Sequence, residues 1–306
     1  MAAVPPPPPP PLPPPPPPPG RVLRDALERA GAALGGDGGV RELLRRRRDS
    51  LTPALKWLLF HRPAPPLIQD GPQCGLVALS MAASLLFPSH AVQPGLLVRA
   101  ARDRGFTHRG EMFSAADMAA LARDVFPCHP ELLEGGLEGP NLPRVLQHLI
   151  SGLPLLVPYD EDSNHEPCQR RGHKAHWAVL TGVLLGVRTA TLSPAYRPDP
   201  EIPNLFHPPP CGGGELAPGG PGLRWGGPGG AVERVLVLAQ QGKSPRVQLW
   251  ALGGLHGSNA QLSELSPRRR RDGHRYVLPA GGLAQGLGGR AVLLRPRDGS
   301  PGTPPE

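Results

Sequence analysis

"LIQDGPQCGLVALSMAASLL" (Leu67–Leu86) sets a cysteine on the first turn of an apolar helical run, directly behind a Gly-Pro turn. A helix start presents unpaired N–H groups and a partial positive charge, both of which favour an anion. A thiol reacts as its thiolate, and a free cysteine of pKa ~8.5 supplies little of that form at neutral pH. Cys74 therefore reads in two ways. It is a nucleophile held where its thiolate is favoured, or a small core residue at a helix start, the commoner fate of a buried cysteine. In the first reading Gly75 keeps the neighbouring amide uncrowded, and the N–H groups of Cys74 and Gly75 face a substrate oxygen. Gln69 or Gln73 would add a side-chain donor to the same oxyanion.

Such a thiol needs a base. "GHKAHWAVLTGV" (Gly172–Val183) supplies His176 at the opening of an apolar run with strand character, about 100 residues after the cysteine. An imidazole fixed on a strand can take the thiol proton and return it to a leaving amine. The ordinary alternative is a histidine that serves only as a structural hydrogen-bonder. A metal site competes for the same segment. "HEPCQRRGHKAH" gathers His165, Cys168, His173 and His176, ligand types that suit zinc. Their spacing matches no common zinc-finger pattern, and a metal-bound His176 would leave Cys74 without a base. No metal and no cofactor is expected.

The chain has 306 residues, among them 40 glycines and 45 prolines, enough for one sizeable domain with tails. Fourteen of the prolines form Pro5–Pro19, with Leu12 among them. Proline fixes φ and donates no backbone hydrogen bond, so this segment reads as a polyproline II rod. It is a spacer or a ligand for proline-binding domains, and its length resembles profilin ligands. A second Pro/Gly patch, 208–230, reads as a flexible insertion between strands. The net charge of +8 comes largely from Arg45–Arg48 and Arg268–Arg271. Few aromatics accompany either cluster, so a nucleic-acid partner is not expected. The arginines read as solvated faces or as an attraction for an acidic protein. Four scattered cysteines without a CxxC pair, no apolar N-terminal leader and no run long enough to span a bilayer point to a cytoplasmic protein with free thiols.

From Arg21 to Phe60 the spacing predicts helices: "VLRDALERAGAAL" stopping at "GGDGG", then "VRELLRRRR" and "LTPALKWLLF". "FSAADMAALARDVF" carries a capping box, Ser114 with Asp117, and "NLPRVLQHLIS" is a further helix. The period then changes. "LPLLVPY", "HWAVLTGVLLGV", "VERVLVLAQ", "RVQLWAL", "YVLPA" and "AVLLRP" predict five or six strands. Helices followed by a mostly antiparallel sheet define an α+β fold. Residues 21–295 would form the folded domain, with 1–20 and 296–306 as disordered ends.

Four blocks in order, "LIQDGPQCGLVAL", "GEMFSAADM", "PYDEDSNHEPCQ" and "GHKAHWAV", closely resemble the actin maturation protease family, with "QGKSPRVQLW" and "SNAQL" in agreement. The resemblance spans roughly residues 21–295. It implies a papain-like cysteine peptidase, distantly similar to bacteriocin-processing peptidases, that removes the acetylated N-terminal Met or Cys of actin and exposes the acidic residues behind it. By the motif match Cys74 is the nucleophile and His176 the general base. Gln69 or Gln73 serves the oxyanion, and Asn204, Asn259 or Gln248 would orient the imidazole. Glu111 and Met112 would line a slot for the acetyl-Met. The Pro5–Pro19 rod would bind profilin and so bring actin close. The rival functions are a non-catalytic profilin-binding adaptor on a peptidase-like fold, or a zinc-binding scaffold.

Overall fold

The computed structural model describes residues 37–90, 94–188, 192, 194–209 and 232–297. The Pro5–Pro19 rod, the expected helix "VLRDALERAGAAL", the insertion from 210 onward and the tail from 298 lie outside the described residues. Along the chain run α1 (Asp37–Arg46), β1 (Lys56–His61), α2 (Cys74–Leu86), α3 (Pro94–Asp103) and α4 (Ala115–Val125). Next come β2 (Cys128–Glu134), α5 (Leu142–Ile150), β3 (Leu155–Glu161), β4 (Pro167–Cys168) and β5 (Ala175–Val187). The remainder is β6 (Arg197–Pro198), β7 (Leu205–His207), β8 (Val232–Gln241), β9 (Ser244–Ala251), α6 (Leu252–Ala260), α7 (Pro267–Arg271), α8 (Gly282–Gly286) and β10 (Arg290–Pro296).

The long apolar run at 175–187 is buried along its whole length as β5. A strand reads as continuously apolar when both faces of its sheet are covered. Ala175, Trp177 and Val179 face a core built with α2, α3 and α4. Ala178, Leu180 and Val183 face a second core built with α5 and α6. A mixed α/β layering results, with one large sheet between helices. β3 pairs antiparallel with the first half of β5, Tyr159 opposite His176, and β1 with the second half, Lys56 opposite Val187. β8 runs antiparallel to β5 from Val179↔Gln240 onward and carries β9 in turn. β10 joins β3 to β2, and the β1–β7 pair is parallel.

Several expectations change. "LTPALKWLLF" is not a helix: Lys56–His61 is strand β1. Trp57 and Leu59 enter one core while Leu58 and Phe60 enter another, so period-two sorting is hidden because both faces are apolar. Within "GGDGG" α1 starts at Asp37, and the helix expected to end there lies outside the described residues. "YVLPA" is not a strand: it is irregular, turns at Ala280 and joins no ladder, and Pro279 lacks an N–H to donate to one. Strands and helices also interleave rather than segregate, and short strands at 128–134 and 205–207 add to the sheet.

Candidate active site

The helix α2 is apolar on every side, and all its residues but Ser84 are buried, as expected for a helix at the centre of a fold. Its N-terminus is aimed by the stretch before it. Gln69 N donates to Gly242 O at 2.7 Å, which ties the lead-in to the β8–β9 turn. Gly71 takes φ +61° to turn the chain, and Gln73 stands at the N-cap. Gly75 follows the cysteine because no side chain fits: a Cβ there would lie 2.7 Å from Met118 Cε, 3.0 Å from Trp177 Cδ1 and 3.1 Å from Met112 Cβ. The 112 loop is itself fixed, with Trp177 Nε1 donating to Met112 O at 2.8 Å.

Cys74 and His176 come together at the open end of the β5–β8 ladder, which begins only at Val179. Burial alone would push the Cys74 thiol up. The charge of His176, a hydrogen bond with its side chain, the Trp177 backbone N–H and the charge of Arg269 outweigh that effect and hold the thiol below the ordinary cysteine value. The other described cysteines go the other way. Burial pushes Cys128 up to about 11, and burial with the Asp160 charge raises Cys168.

The histidine is buried and stands edge-on to Tyr159, ring centroids 5.9 Å apart. Its Nε2 faces Gln241 Oε1 at 3.2 Å, and the Lys243 backbone N–H donates to that same oxygen at 2.6 Å. A backbone N–H can only donate, so the atom it meets is the amide oxygen. The ring nitrogen facing that oxygen must then carry the proton. This leaves Nδ1, with its lone pair, for the thiol. Below the pair, Glu161 is buried and accepts from His165 Nδ1 at 2.6 Å and from Lys243 Nζ. Burial would raise its carboxyl, but the charges of His176 and Lys243, with the His165 bond, keep it under the usual carboxylate range. Lys243 thus grips Gln241 through its backbone and Glu161 through its side chain.

The other candidates lie elsewhere or are occupied. Gln69 Nε2 donates to Gly71 O at 2.8 Å, and its side chain rests against Gly242, beside Gln241. Gln73 lies against Gly110. Asn259 bridges the carbonyls of Pro158 at 2.8 Å and Arg290 at 2.9 Å, Asn204 reaches Pro53 O, and Gln248 donates to Asn164 O. None of these three meets the imidazole. Glu111 caps its own loop through the N–H groups of His108 and Arg109, while Met112 lies beside Gly75. The four candidate zinc ligands take separate partners. His165 binds Glu161 and His173 faces Glu264, while Cys168 sits in the β4 ladder and His176 meets Gln241. Among the described residues no group of three or more metal-ligating side chains is gathered. Gln241 was the residue missed from sequence. Its signal was positional: in an antiparallel pair the last residue of β8 falls beside the opening of β5, where His176 stands.

A buried thiol and a tautomer-fixed imidazole meeting at a helix N-terminus define a class, that of proteins carrying a paired thiol and imidazole. Comparison with known proteins narrows it. Residues 64–184 match the family model described as actin maturation protease-like, C-terminal domain. The chain is 53% identical to the actin maturation protease of Bos taurus over 92% of its length and 78% of the relative's. It is 51% identical to that of Homo sapiens over 91% and 77%, and 31% identical to that of Drosophila melanogaster over 74% and 67%. The chain belongs to the actin maturation protease family. No solved structure matches it significantly.

Proposed function

We propose that this chain is a papain-like cysteine aminopeptidase that removes an N-acetylated Met or Cys from the N-terminus of immature actin. The names of its relatives support a protease acting in actin maturation. The observation that carries the cysteine mechanism is the Cys74 thiol, lowered by His176 at the start of α2. His176 Nδ1 takes the thiol proton, and the thiolate attacks the carbonyl carbon of the acetylated residue. Negative charge forms on that oxygen and is met by the Cys74 N–H and by the second N–H of Gln69 Nε2, the first being held by Gly71 O. The C–N bond breaks as His176 returns the proton to the departing amine, leaving a thioester on Cys74. Water, deprotonated by His176, then hydrolyses the thioester, releases the acetylated amino acid and restores the thiol. Gln241 keeps the imidazole in the productive tautomer throughout.

An acetylated terminus carries no ammonium, so no carboxylate is needed to receive it. The apolar Met112 beside Gly75 suits the departing residue. Pro5–Pro19, outside the described residues, would hold profilin and with it actin, raising the local substrate concentration in the cytoplasm. The test is cleavage of an acetyl-Met peptide by the wild type, Cys74→Ala and His176→Ala. Both variants should lose turnover by at least about a hundredfold while melting like the wild type. Undiminished turnover in Cys74→Ala would exclude the mechanism.

A further inference from the structure

The guanidinium of Arg269 is placed with care that a solvated arginine would not need. It lies over the Phe113 ring, 5.2 Å from the centroid, and Ser266 Oγ caps its backbone N–H at 3.2 Å. Phe113 is fixed in turn. Its carbonyl is pressed so closely on Gly286 that a Cβ there would overlap it, and Tyr276 packs edge-on against its ring with centroids 5.8 Å apart. Met112, next in the chain, touches Gly75 and Trp177, so Arg269 stands one residue layer from the nucleophile.

Its neighbours in α7 are different. Arg270 pairs with Glu264, which also takes Arg171. Arg269 forms no ion pair among the described residues. The two nearby carboxylates are engaged elsewhere, Glu111 with the N–H groups of His108 and Arg109, and Asp272 with Tyr276 Oη and the His274 N–H. A fixed, partly buried guanidinium with no ion pair among the described residues, close to the Cys74–His176 pair, has the chemistry to hold a carboxylate.

We infer that Arg269 is a specificity-determining residue that binds an acidic side chain of the substrate just beyond the scissile bond. The inference rests on the proposed peptidase reading. In that reading one apolar, acetylated residue precedes the scissile bond, so a carboxylate can lie only on the departing side. Arg269 then does two things with one charge: it supports the thiolate and it selects what leaves.

The experiment compares acetyl-Met-Asp and acetyl-Met-Asn peptides, identical beyond the second residue, with wild type, Arg269→Gln and Arg269→Lys, reading kcat/KM by mass spectrometry. The wild type should prefer the acidic peptide by about tenfold or more. Arg269→Gln should erase that preference, slowing the acidic peptide about tenfold more than the neutral one, and Arg269→Lys should retain part of it. In the wild type, added salt should narrow the preference, a readout that needs no variant to fold. Equal slowing of both peptides by Arg269→Gln, or a wild type indifferent to the acid, would overturn the inference while leaving the peptidase reading intact. A wild type that cleaves neither peptide would overturn both.

Discussion

At Cys74 opposing forces act on one sulfur, and the outcome depends on a neighbour two steps away. Burial works against the thiolate, His176 and the Trp177 N–H work for it, and His176 itself depends on Gln241 for its tautomer. Gln241→Ala should therefore lower kcat by about tenfold to a hundredfold with little change in KM, because the ring is free to present the wrong nitrogen. Gln241→Glu keeps an acceptor at that place and should recover part of the loss in the same assay. A fall in KM-dependent binding alone would point to a different role. The placement of Cys74 at a helix start and of His176 at a strand start was legible from sequence because each sits at the edge of an element, where residue type and periodicity disagree. Gln241 was not, because it closes an ordinary strand and only the pairing of β8 with β5 gives it a partner. Asn204 and Asn259 had suitable chemistry, but backbone carbonyls at distant points of the fold claim their amides.

At the scale of elements, close approach is what keeps the helix, the sheet and the 112 loop in register. Gly182 pairs with His61 at the end of the antiparallel β1–β5 ladder, and a Cβ there would fall 2.3 Å from Phe60 O and 2.8 Å from His61 Cα. Backbone cannot step aside without parting the strands, so Gly182→Ala should cost about 3 kcal/mol, measured by denaturant unfolding. Gly75→Ala meets first the flexible end of Met118, so its cost in stability should be smaller, about 1 kcal/mol. It also crowds Trp177 and Met112 beside the sulfur, and activity should fall further than stability does. The helix at 115–125 was readable to its cap, where Ser114 Oγ accepts from Asp117 N at 3.0 Å. Strand β1 was not readable, since a segment apolar on both faces offers no period to distinguish strand from helix.

Across the whole molecule, one sheet with helices on both faces encloses a largely apolar interior, and a partly buried histidine packed against it responds to acid. His148 at the end of α5 bonds Pro154 O at 2.9 Å, and burial, helped by the charges of Arg144 and Arg295, pushes it down to about 4 from the model-peptide value of 6.5. The unfolded chain binds this proton at the higher value and the folded chain only at the lower. Stability is thus unaffected above pH 6.5 and falls as the pH drops from 6.5 to 4. The loss should be about 3 kcal/mol, and His148→Gln should remove it from the pH profile of thermal unfolding. The antiparallel sheet was legible from the change of period after residue 153. The interleaving of strands with helices was not, because it is decided by which face finds a partner, and no local pattern carries that.

The pH dependence of iodoacetamide labelling at Cys74, read peptide by peptide in the wild type and in His176→Ala, reports the thiol–imidazole pairing itself. The pairing described here predicts a wild-type inflection below the usual cysteine value, moving upward when the imidazole is removed, with Cys128 and Cys168 reacting only at higher pH. An inflection at or above the ordinary value, identical in both proteins, would contradict it.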